Sequence, residues 1–328
     1  MDVWRGELVE SRHRVSVAVV DGEGRLRARA GDAALLVFAR SAIKPIQALP
    51  LIEDEIIERF GLTDAELALA CASHGGEPRH VELVRSMLEK IGLREDALAC
   101  GAHPPYHEGS AAELRRRGVE PGRVHNNCSG KHAAMLALAR GNQWPVTGYQ
   151  EHGHPVQQRM AEVVAQWSGV SAEEMPTAVD GCGVITFALA LHRLAHAFAR
   201  LATAARRGDD APSRVMQAMA RHPEMVGGAD RLCTNLMRVT AGRICVKVGA
   251  EGVYCAGIPG AELGVALKVE DGALRAAEPA LIAVLKRLGL LTDEDLAALD
   301  GYARPLVRNT RGELVGCVRA EIELEPGH

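Results

Sequence analysis

The sequence predicts an α/β (α+β) fold in which an antiparallel sheet, built from both chain ends, carries an inserted helical subdomain. Residues 1–40 and 241–328 contain runs in which apolar and polar positions alternate, as they do in half-buried strands. Residues 41–240 instead show mainly helical periodicity, broken by Gly-rich turns. Because no internal repeat or Pro- and Ser-rich linker separates these parts, we expect residues 1–328 to form a single unit.

The predicted elements follow in order along the chain. The first is a β-hairpin, "RVSVAVVDGEGRLRARAGD", whose two alternating runs flank a Gly-containing turn. Helices are predicted next, in the stretches "KPIQALPLIEDEII", "TDAELALACA", "EPRHVELVRSMLEKIG", "SGKHAAMLALARG", "HPVQQRMAEVVAQWSG", "GVITFALALHRLAHAFARLATAARRG" and "APSRVMQAMARHPEMVGG". Strands follow in "RICVKVGAEGVYCAGIP" and "LGVALKVEDG", then helices in "AEPALIAVLKRLGL" and "TDEDLAALDGY". The last run, "LVGCVRAEIELEP", alternates again, so one sheet assembled from the two chain ends is expected.

Charge and composition favour a small-molecule substrate. The net charge of -4 is spread over 38 basic and 42 acidic residues without a long run of one sign, which argues against nucleic-acid and membrane partners. The first residues lack the apolar core of a signal peptide, and no stretch approaches the ~18 apolar residues of a membrane span, so we expect a cytoplasmic protein. The eight cysteines are scattered, which in a reducing compartment indicates free thiols or metal ligands.

Lysine is scarce in this sequence, since only six of the 38 basic residues are lysines and the others are arginines. Arginine keeps its proton because its pKa lies above ~12. Burial and neighbouring cations can instead lower the pKa of a lysine amine until the amine can lose its proton. Three lysines, Lys44, Lys131 and Lys247, lie among Gly, Cys and Ser residues. These three are therefore candidates for chemistry.

The stretch "FARSAIKPIQALP" places Ser41 three residues before Lys44, at the start of a predicted helix. Pro45 has no N–H and is tolerated only in the first turn, so the helix must begin near Ser41. Residues three apart share a helix face, which brings the Lys44 amine within reach of the hydroxyl. The pattern indicates a serine nucleophile with a lysine base, while the alternative is a capping serine beside a solvated lysine.

Two further segments support the first interpretation. "ALACASHGGEPRH" places Ser73 between an apolar run and a Gly-Gly turn, where it is a candidate proton relay. "ICVKVGAEG" places Lys247 in an alternating strand before glycines, which resembles the K-T-G strand of serine β-lactamases and penicillin-binding proteins. A second cation there would lower the pKa of Lys44 by like-charge repulsion. The alternative for Lys247 is an edge-strand lysine that discourages aggregation.

A metal site is the third candidate. Cys128 and Lys131 lie at a predicted helix entrance in "NNCSGKHAAML", and Cys182 lies in a Gly-rich turn after Asp180. Two thiolates, a third donor and a water would make a tetrahedral zinc site. Lysine is a rare ligand, however, and buried free cysteine is common, so the spacing alone leaves the question open.

These motifs together resemble those of a known family. The blocks "RSAIKPIQALP", "ASHGGEP", "NNCSGKHAAML", "HPVQ", "DGCGV" and "HPEMVGGADRLCT" are similar to those of the Rhizobium-type (class 3) L-asparaginases, and the similarity spans nearly the whole chain. The resemblance implies a serine β-lactamase/glutaminase-like fold, a single catalytic unit, a homodimer, and hydrolysis of asparagine to aspartate and ammonia.

The resemblance also implies roles for residues of this chain. It makes Ser41 the nucleophile and Lys44 its base. It further implies a second Ser/Lys pair, Ser73 and Lys247. Arg40 and Asp180 would be supporting residues at the substrate pocket. The ligands of a zinc ion would be Cys128, Lys131 and Cys182. Two other functions stay open at this point: a glutaminase or other serine-lysine amidase, including a β-lactam-type acylating enzyme, and a zinc-dependent binding protein in which Ser41 only caps a helix.

Overall fold

Three antiparallel sheets organise the chain in a computed structural model, which describes residues 1–327. Their strands are β1 (Asp2–Arg5), β2 (Leu8–Arg12), β3 (Val15–Asp21), β4 (Leu26–Ala30), β5 (Leu36–Phe38), β6 (Thr177–Val179), β7 (Ile185–Ala190), β8 (Cys245–Val248), β9 (Val253–Ile258), β10 (Leu263–Val269), β11 (Leu306–Arg308), β12 (Leu314–Arg319) and β13 (Glu325–Pro326). The strand orders are β13-β4-β3-β10-β9-β8, β11-β12-β1-β2 and β5-β7-β6.

Most of the helices lie between β5 and β8. They are α1 (Lys44–Gln47), α2 (Pro50–Glu53), α3 (Ile56–Phe60), α4 (Asp64–Ala70), α5 (Pro78–Lys90), α6 (Glu108–Arg116), α7 (Ser129–Gly141), α8 (Pro155–Ser168), α9 (Leu191–Arg207), α10 (Asp210–Arg221), α11 (Pro223–Val226) and α12 (Leu232–Val239), with α13 (Leu274–Arg287), α14 (Asp293–Ala298) and α15 (Asp300–Ala303) following β10. No helix of the described residues is long and apolar enough to cross a bilayer.

The six-stranded sheet forms the centre of the core. Consecutive residues of β3 and β9 are buried, so both faces of these strands are covered, and α9 and α13 contact the sheet. The approach of α9 is very close at Gly264 of β10, where a Cβ would lie 2.0 Å from the Ala195 carbonyl oxygen and 2.3 Å from the Ala199 nitrogen. Glycine is therefore required at this contact, because any side chain would push the helix off the sheet.

The predicted mixture of helices and antiparallel strands is confirmed, and the hairpin predicted near the start of the chain is β3 and β4. The prediction of a sheet built from both chain ends is confirmed by the six-stranded sheet, in which β3 pairs with β10 and β4 pairs with β13. A second sheet, β11-β12-β1-β2, also joins the two chain ends and is not predicted. The C-terminal segment divides between two sheets, since β12 pairs with β1 and β13 pairs with β4. The hairpin β1–β2 is not predicted either, because its strands are short, charged and mostly half-buried or exposed. The division at residues 41–240 stays a prediction.

Two predicted helices differ in the structure. The stretch "GVITFALALHRL" begins with strand β7, and the helix α9 starts only at Leu191. A short apolar run fits a buried strand as well as a helix, and here β5 and β6 pair with it on both sides. The stretch "KPIQALPLIEDEII" forms three short helices, α1 to α3, because Pro50 begins a new helix and Glu55 has a left-handed backbone, with a φ of 57°.

The three-stranded sheet determines where the functional residues lie. Strands β5 and β6 both run antiparallel to β7, so they end at the same edge of the sheet. The backbone N–H of Ala39 continues the ladder by donating to the Phe187 carbonyl oxygen at 2.9 Å. Consequently Arg40, which follows β5, lies beside Asp180, which follows β6.

Candidate active site

Ser41 lies in a 3-10 turn, Arg40–Ile43, that leads directly into α1. Pro45 occupies the first turn of that helix, as the sequence predicts, and the Lys44 N–H donates to the Ser41 carbonyl oxygen. Arg40 has a left-handed backbone with a φ of 49°, a conformation that costs a non-glycine residue about 1 kcal/mol. The end of β8 packs tightly against this turn, since a Cβ on Gly249 would lie 3.0 Å from the Ala39 carbonyl oxygen.

Lys44, Ser73 and Lys247 meet in the interior. The Ser73 hydroxyl oxygen lies 2.8 Å from the Lys247 Nζ and 3.2 Å from the Lys44 Nζ. Both lysines are buried, with 1% and 0% of their surface exposed, and their remaining contacts include the Ala72 and Val248 carbonyl oxygens. One hydroxyl therefore connects two amines that come from distant parts of the chain. Among the described residues, the Ser41 hydroxyl makes no hydrogen bond with Lys44.

The surroundings of Lys247 favour its neutral form. Burial and, next, the positive charge of Lys44 lower the pKa of Lys247 to about 7. A neutral amine at this position can accept a proton from a hydroxyl, which a fully charged ammonium cannot do. Lys247 lies on β8, the edge strand of its sheet, but it points into the core, so its role is not that of a solvated edge-strand lysine.

Hydrogen bonds to two other segments hold the loop that carries Ser73. The Ser73 N–H donates to the Val226 carbonyl oxygen at 3.0 Å, and the His74 N–H donates to the Asn127 carbonyl oxygen at 3.1 Å. The His74 ring accepts from the Gly76 N–H at Nδ1, so its Nε2 carries the proton and donates to the Ser129 hydroxyl at 3.0 Å. Burial, followed by the nearby His80 ring, lowers the pKa of His74, which keeps this ring neutral.

Two cysteines and two lysines form a second cluster beside the first. The Lys131 Nζ lies 3.1 Å from the Cys182 sulfur, and the Lys44 Nζ lies 3.2 Å from the Cys128 sulfur. A hydrogen bond from Cys128 and the charge of Lys131 lower the pKa of Cys182 to about 5, although burial opposes this shift. The pKa of Cys128 is raised to about 12 by the same hydrogen bond and by burial. The pair therefore consists of one thiolate and one thiol.

Asp180 and Arg40 lie at the edge of this cluster. The Arg40 Nε donates to the Asp180 Oδ1 at 2.7 Å, and the Gly181 N–H donates to the same oxygen at 2.8 Å. Burial opposes ionisation of Asp180, but the charges of Lys131 and Arg40 outweigh it and lower the pKa of the carboxyl group. The pair is thus ionised and only partly exposed.

The donor set suits a zinc ion. The sulfurs of Cys128 and Cys182 and the amine of Lys131 converge in a buried space, and one sulfur already carries a negative charge. The neighbouring His132 has an Nε2 that is buried without a hydrogen-bond partner, while its Nδ1 contacts the Tyr149 hydroxyl at 2.6 Å. Residues 1–327 contain no group of three His, Cys, Asp or Glu side chains placed to hold a metal, so a site here needs the lysine.

All nine residues singled out in the sequence lie in these linked contacts or directly beside them. The contact between Lys44 and Cys128, which joins the two clusters, is not predicted by the sequence. Nor are the contacts of Glu77 and His80, which lie in the same "HGGEPRH" stretch as Ser73 and bind the segment 224–229. Two charged or ionisable side chains directly after a Gly-Gly turn were the signal that could have identified them.

Comparison with known proteins identifies the family. A family model described as L-asparaginase II matches residues 1–320. The chain belongs to this family. It is an L-asparaginase, an amidohydrolase that converts L-asparagine to aspartate and ammonia. The non-enzymatic alternative, a zinc-dependent binding protein, is replaced by this assignment.

Other comparisons add little to the family assignment. No curated protein matches this L-asparaginase. A solved structure described as "Crystal Structure Analysis of Mglu" matches with 18% sequence identity and a TM-score of 0.38, and the match covers 84% of this chain and 67% of that chain. A likeness this low does not establish a shared fold, so the serine β-lactamase/glutaminase-like architecture stays a prediction.

The low pKa of Lys247 can be observed directly, because this L-asparaginase contains only six lysines. In protein labelled with 13C at the lysine Cε, we expect one resonance to titrate near pH 7, since burial and Lys44 disfavour the ammonium form. The resonance is assigned by its loss in the Lys247→Met variant, with Lys286→Met as an exposed control. If all six resonances titrate above pH 9, the description of Lys247 as a neutral amine is wrong.

Proposed function

We propose that this L-asparaginase acts by a two-step acyl transfer, with Ser41 as the nucleophile and Lys44 as its base. The observation that carries the proposal is the Ser73 hydroxyl, which lies between the Lys44 and Lys247 amines in a buried site. Ser41 and Lys44 lie on one short helical segment, and Lys247 lies on the edge strand β8. Regular structure therefore holds the nucleophile and both amines.

In the first step, Lys44 passes a proton through the Ser73 hydroxyl to the neutral Lys247 amine. The Lys44 amine, now neutral, takes the Ser41 proton as the serine oxygen attacks the side-chain amide carbon of asparagine. The negative charge that develops on the amide oxygen is stabilised by backbone N–H groups at the start of the helical turn. Ser73 donates its proton to the departing nitrogen and regains one from the lysine pair. The carbon–nitrogen bond breaks, ammonia leaves, and an aspartyl ester of Ser41 remains.

In the second step, a water molecule attacks the ester carbonyl. A lysine amine, reached directly or through Ser73, accepts the water proton and then returns a proton to the Ser41 oxygen as the ester bond breaks. Aspartate leaves and the enzyme returns to its starting protonation state. The Lys247 amine suits this role because its pKa is lowered to about 7, close to the pH at which it must both accept and release protons.

Substrate recognition is assigned to Arg40 and Asp180. Asparagine carries an α-carboxylate and an α-ammonium group, and the ionised pair offers one partner for each. Arg40 uses only its Nε in the contact with Asp180, and its side chain is 23% exposed, which leaves guanidinium N–H groups for a ligand. Both residues follow strands that end beside Ser41, so the groups they bind would lie near the attacking oxygen.

A zinc ion held by Cys128, Lys131 and Cys182 is part of the proposal. When bound, zinc supplies a Lewis acid and a positive charge next to the substrate pocket. The chain itself supplies the thiolate at Cys182 and, through Asp180, a carboxylate whose Oδ2 lies 3.9 Å from that sulfur. The proposal also includes a serine β-lactamase/glutaminase-like fold, a cytoplasmic location and a homodimer, which rest on the family resemblance.

Replacing Ser41 by Ala or Lys44 by Met should lower kcat for asparagine by about 10³-fold or more, because the nucleophile or its base is lost. Lys286→Met, at an exposed position of α13, is the matched control and should keep full activity. Ammonia release from asparagine and from glutamine, compared side by side with the colour change of a chromogenic β-lactam, should favour asparagine. Near-normal turnover by Lys44→Met would exclude the serine-lysine mechanism, and a preference for glutamine would make the enzyme a glutaminase.

Metal analysis of protein purified without chelators should find about one zinc per chain. Cys128→Ser and Cys182→Ser should each release the metal and raise KM for asparagine, because a thiolate ligand beside Asp180 is lost. Cys317→Ser lies on β12, outside this cluster, and should retain the zinc. A preparation that is fully active and free of zinc would remove the metal from the proposal.

The proposed homodimer should have a mass of about 70 kDa in solution, twice the 35.0 kDa of one chain. Light scattering over a wide concentration range measures this mass. We expect the value to hold at the enzyme concentrations used for assays. A mass of one chain throughout that range would show that the enzyme acts as a monomer.

A further inference from the structure

Two loops meet directly behind Ser73. One is residues 72–77, "ASHGGE", which we call the GGE loop, and the other is residues 224–229, "EMVGGA", which we call the GGA loop. The GGE loop carries Ser73 and runs into α5, whereas the GGA loop consists of the last residues of α11 and the first residues that lead from it to α12. The mechanism described above gives the GGA loop no task.

Two hydrogen bonds join the loops directly, and a third joins the GGA loop to the first turn of α5. The Ser73 N–H donates to the Val226 carbonyl oxygen at 3.0 Å. The Ala229 N–H donates to the Glu77 Oε1 at 2.7 Å. His80, one turn into α5, donates from Nε2 to the Glu224 carbonyl oxygen at 2.9 Å, and its Nδ1 accepts from the Glu77 N–H. The three contacts span both loops from one end to the other.

Glu77 supplies the strongest of these contacts. Its carboxylate is 4% exposed and accepts a backbone N–H, a type of hydrogen bond that an ionised acceptor strengthens. The other oxygen, Oε2, pairs with the half-exposed Arg79 at 2.8 Å. A buried carboxylate is costly unless it is paired, and here Oε1 accepts from the Ala229 N–H while Oε2 pairs with a half-exposed side chain.

Gly228 shows independently how closely the loops are fitted. Its φ of 96° lies in the region that favours glycine, and a Cβ there would lie 2.5 Å from the Glu77 Oε1 and 3.2 Å from the Gly75 nitrogen. Thr234 fixes the same glycine by donating from its hydroxyl to the Gly228 carbonyl oxygen at 2.7 Å. The GGA loop therefore presents bare backbone to the Glu77 carboxylate.

We propose that Glu77 is a positioning residue for the asparaginase reaction, whose carboxylate clamps the GGE loop to the GGA loop and so fixes the Ser73 hydroxyl between the two lysine amines. This inference rests on the proposed function, in which Ser73 transfers protons. Glu77 lies four residues from Ser73 along one short loop, so a shift of Glu77 would move Ser73. Proton transfer requires the Ser73 hydroxyl to stay within hydrogen-bond distance of the Lys247 Nζ, which is 2.8 Å away. A displacement of about 1 Å in such a group can cost 10²-fold in rate.

The test compares four variants of the full-length enzyme. Glu77→Ala removes the clamp and should lower kcat for asparagine by about 10²-fold, with KM within about twofold, because the substrate contacts at Arg40 and Asp180 are untouched. Glu77→Gln keeps an acceptor for the Ala229 N–H and should restore kcat to within a few-fold of wild type. Arg79→Ala removes only the outer partner of Glu77 and is the matched control.

Gly228→Ala opens the clamp from the other side while the carboxylate remains. It should reproduce the loss of kcat, and it decides the question if Glu77→Ala fails to fold. Melting temperatures of all variants are measured in parallel. A folded Glu77→Ala with wild-type kcat overturns the proposal, as does a Glu77→Gln that is no more active than Glu77→Ala.

A coupled pair of variants separates this inference from the proposed function. If Glu77 acts through Ser73, Glu77→Ala should cost less than about threefold when it is added to Ser73→Ala, because the group it positions is already gone. A further loss of about 10²-fold in that background would show that Glu77 acts elsewhere. Full activity of Ser73→Ala and Lys247→Met alone would instead refute the proton relay itself, whatever Glu77 does.

Discussion

Two lysine amines share one hydroxyl in a space without solvent, and the cost of keeping two positive charges there governs the rest of the site. Burial and the neighbouring Lys44 lower the pKa of Lys247 to about 7, so one amine gives up its proton easily. The Cys182 thiolate and the Asp180 carboxylate lie nearby and offset the charges of Lys131 and Arg40. These two pairs balance, so the positive charge that remains in the site belongs to the Lys44–Lys247 pair.

The fold meets this requirement by bringing together segments that are far apart in sequence. The helical turn with Ser41 follows β5, Lys247 lies on the edge strand β8, and Ser73 lies on a loop between helices. Each is attached to a rigid element, and bare backbone at Gly249 lets β8 approach the turn of Ser41 closely. A precise arrangement of small proton-transferring groups needs such supports, because loops alone would let the distances vary.

The sequence predicts the parts of this arrangement that depend on local rules. Pro45 locates the start of the helix, and the long amphipathic helices follow from their periodicity. The division of the terminal strands between two sheets and the strand β7 depend on pairing between distant segments, which a single sequence does not reveal. The same holds for Glu77: its partner, the Ala229 N–H, is 152 residues away and has no side-chain signature.

In the proposed mechanism, arginine and lysine have different tasks. Arg40 binds Asp180 through a guanidinium that keeps its charge at every working pH, which suits a permanent ion pair. Lys44 and Lys247 are completely buried around a hydroxyl, where a permanent charge would be costly and would prevent proton transfer. An arginine at either position would bring a larger group that cannot be deprotonated. In the proposed mechanism, lysine therefore lies at the two positions where a proton must move, and the spacing of Ser41 and Lys44 already indicates one of them in the sequence.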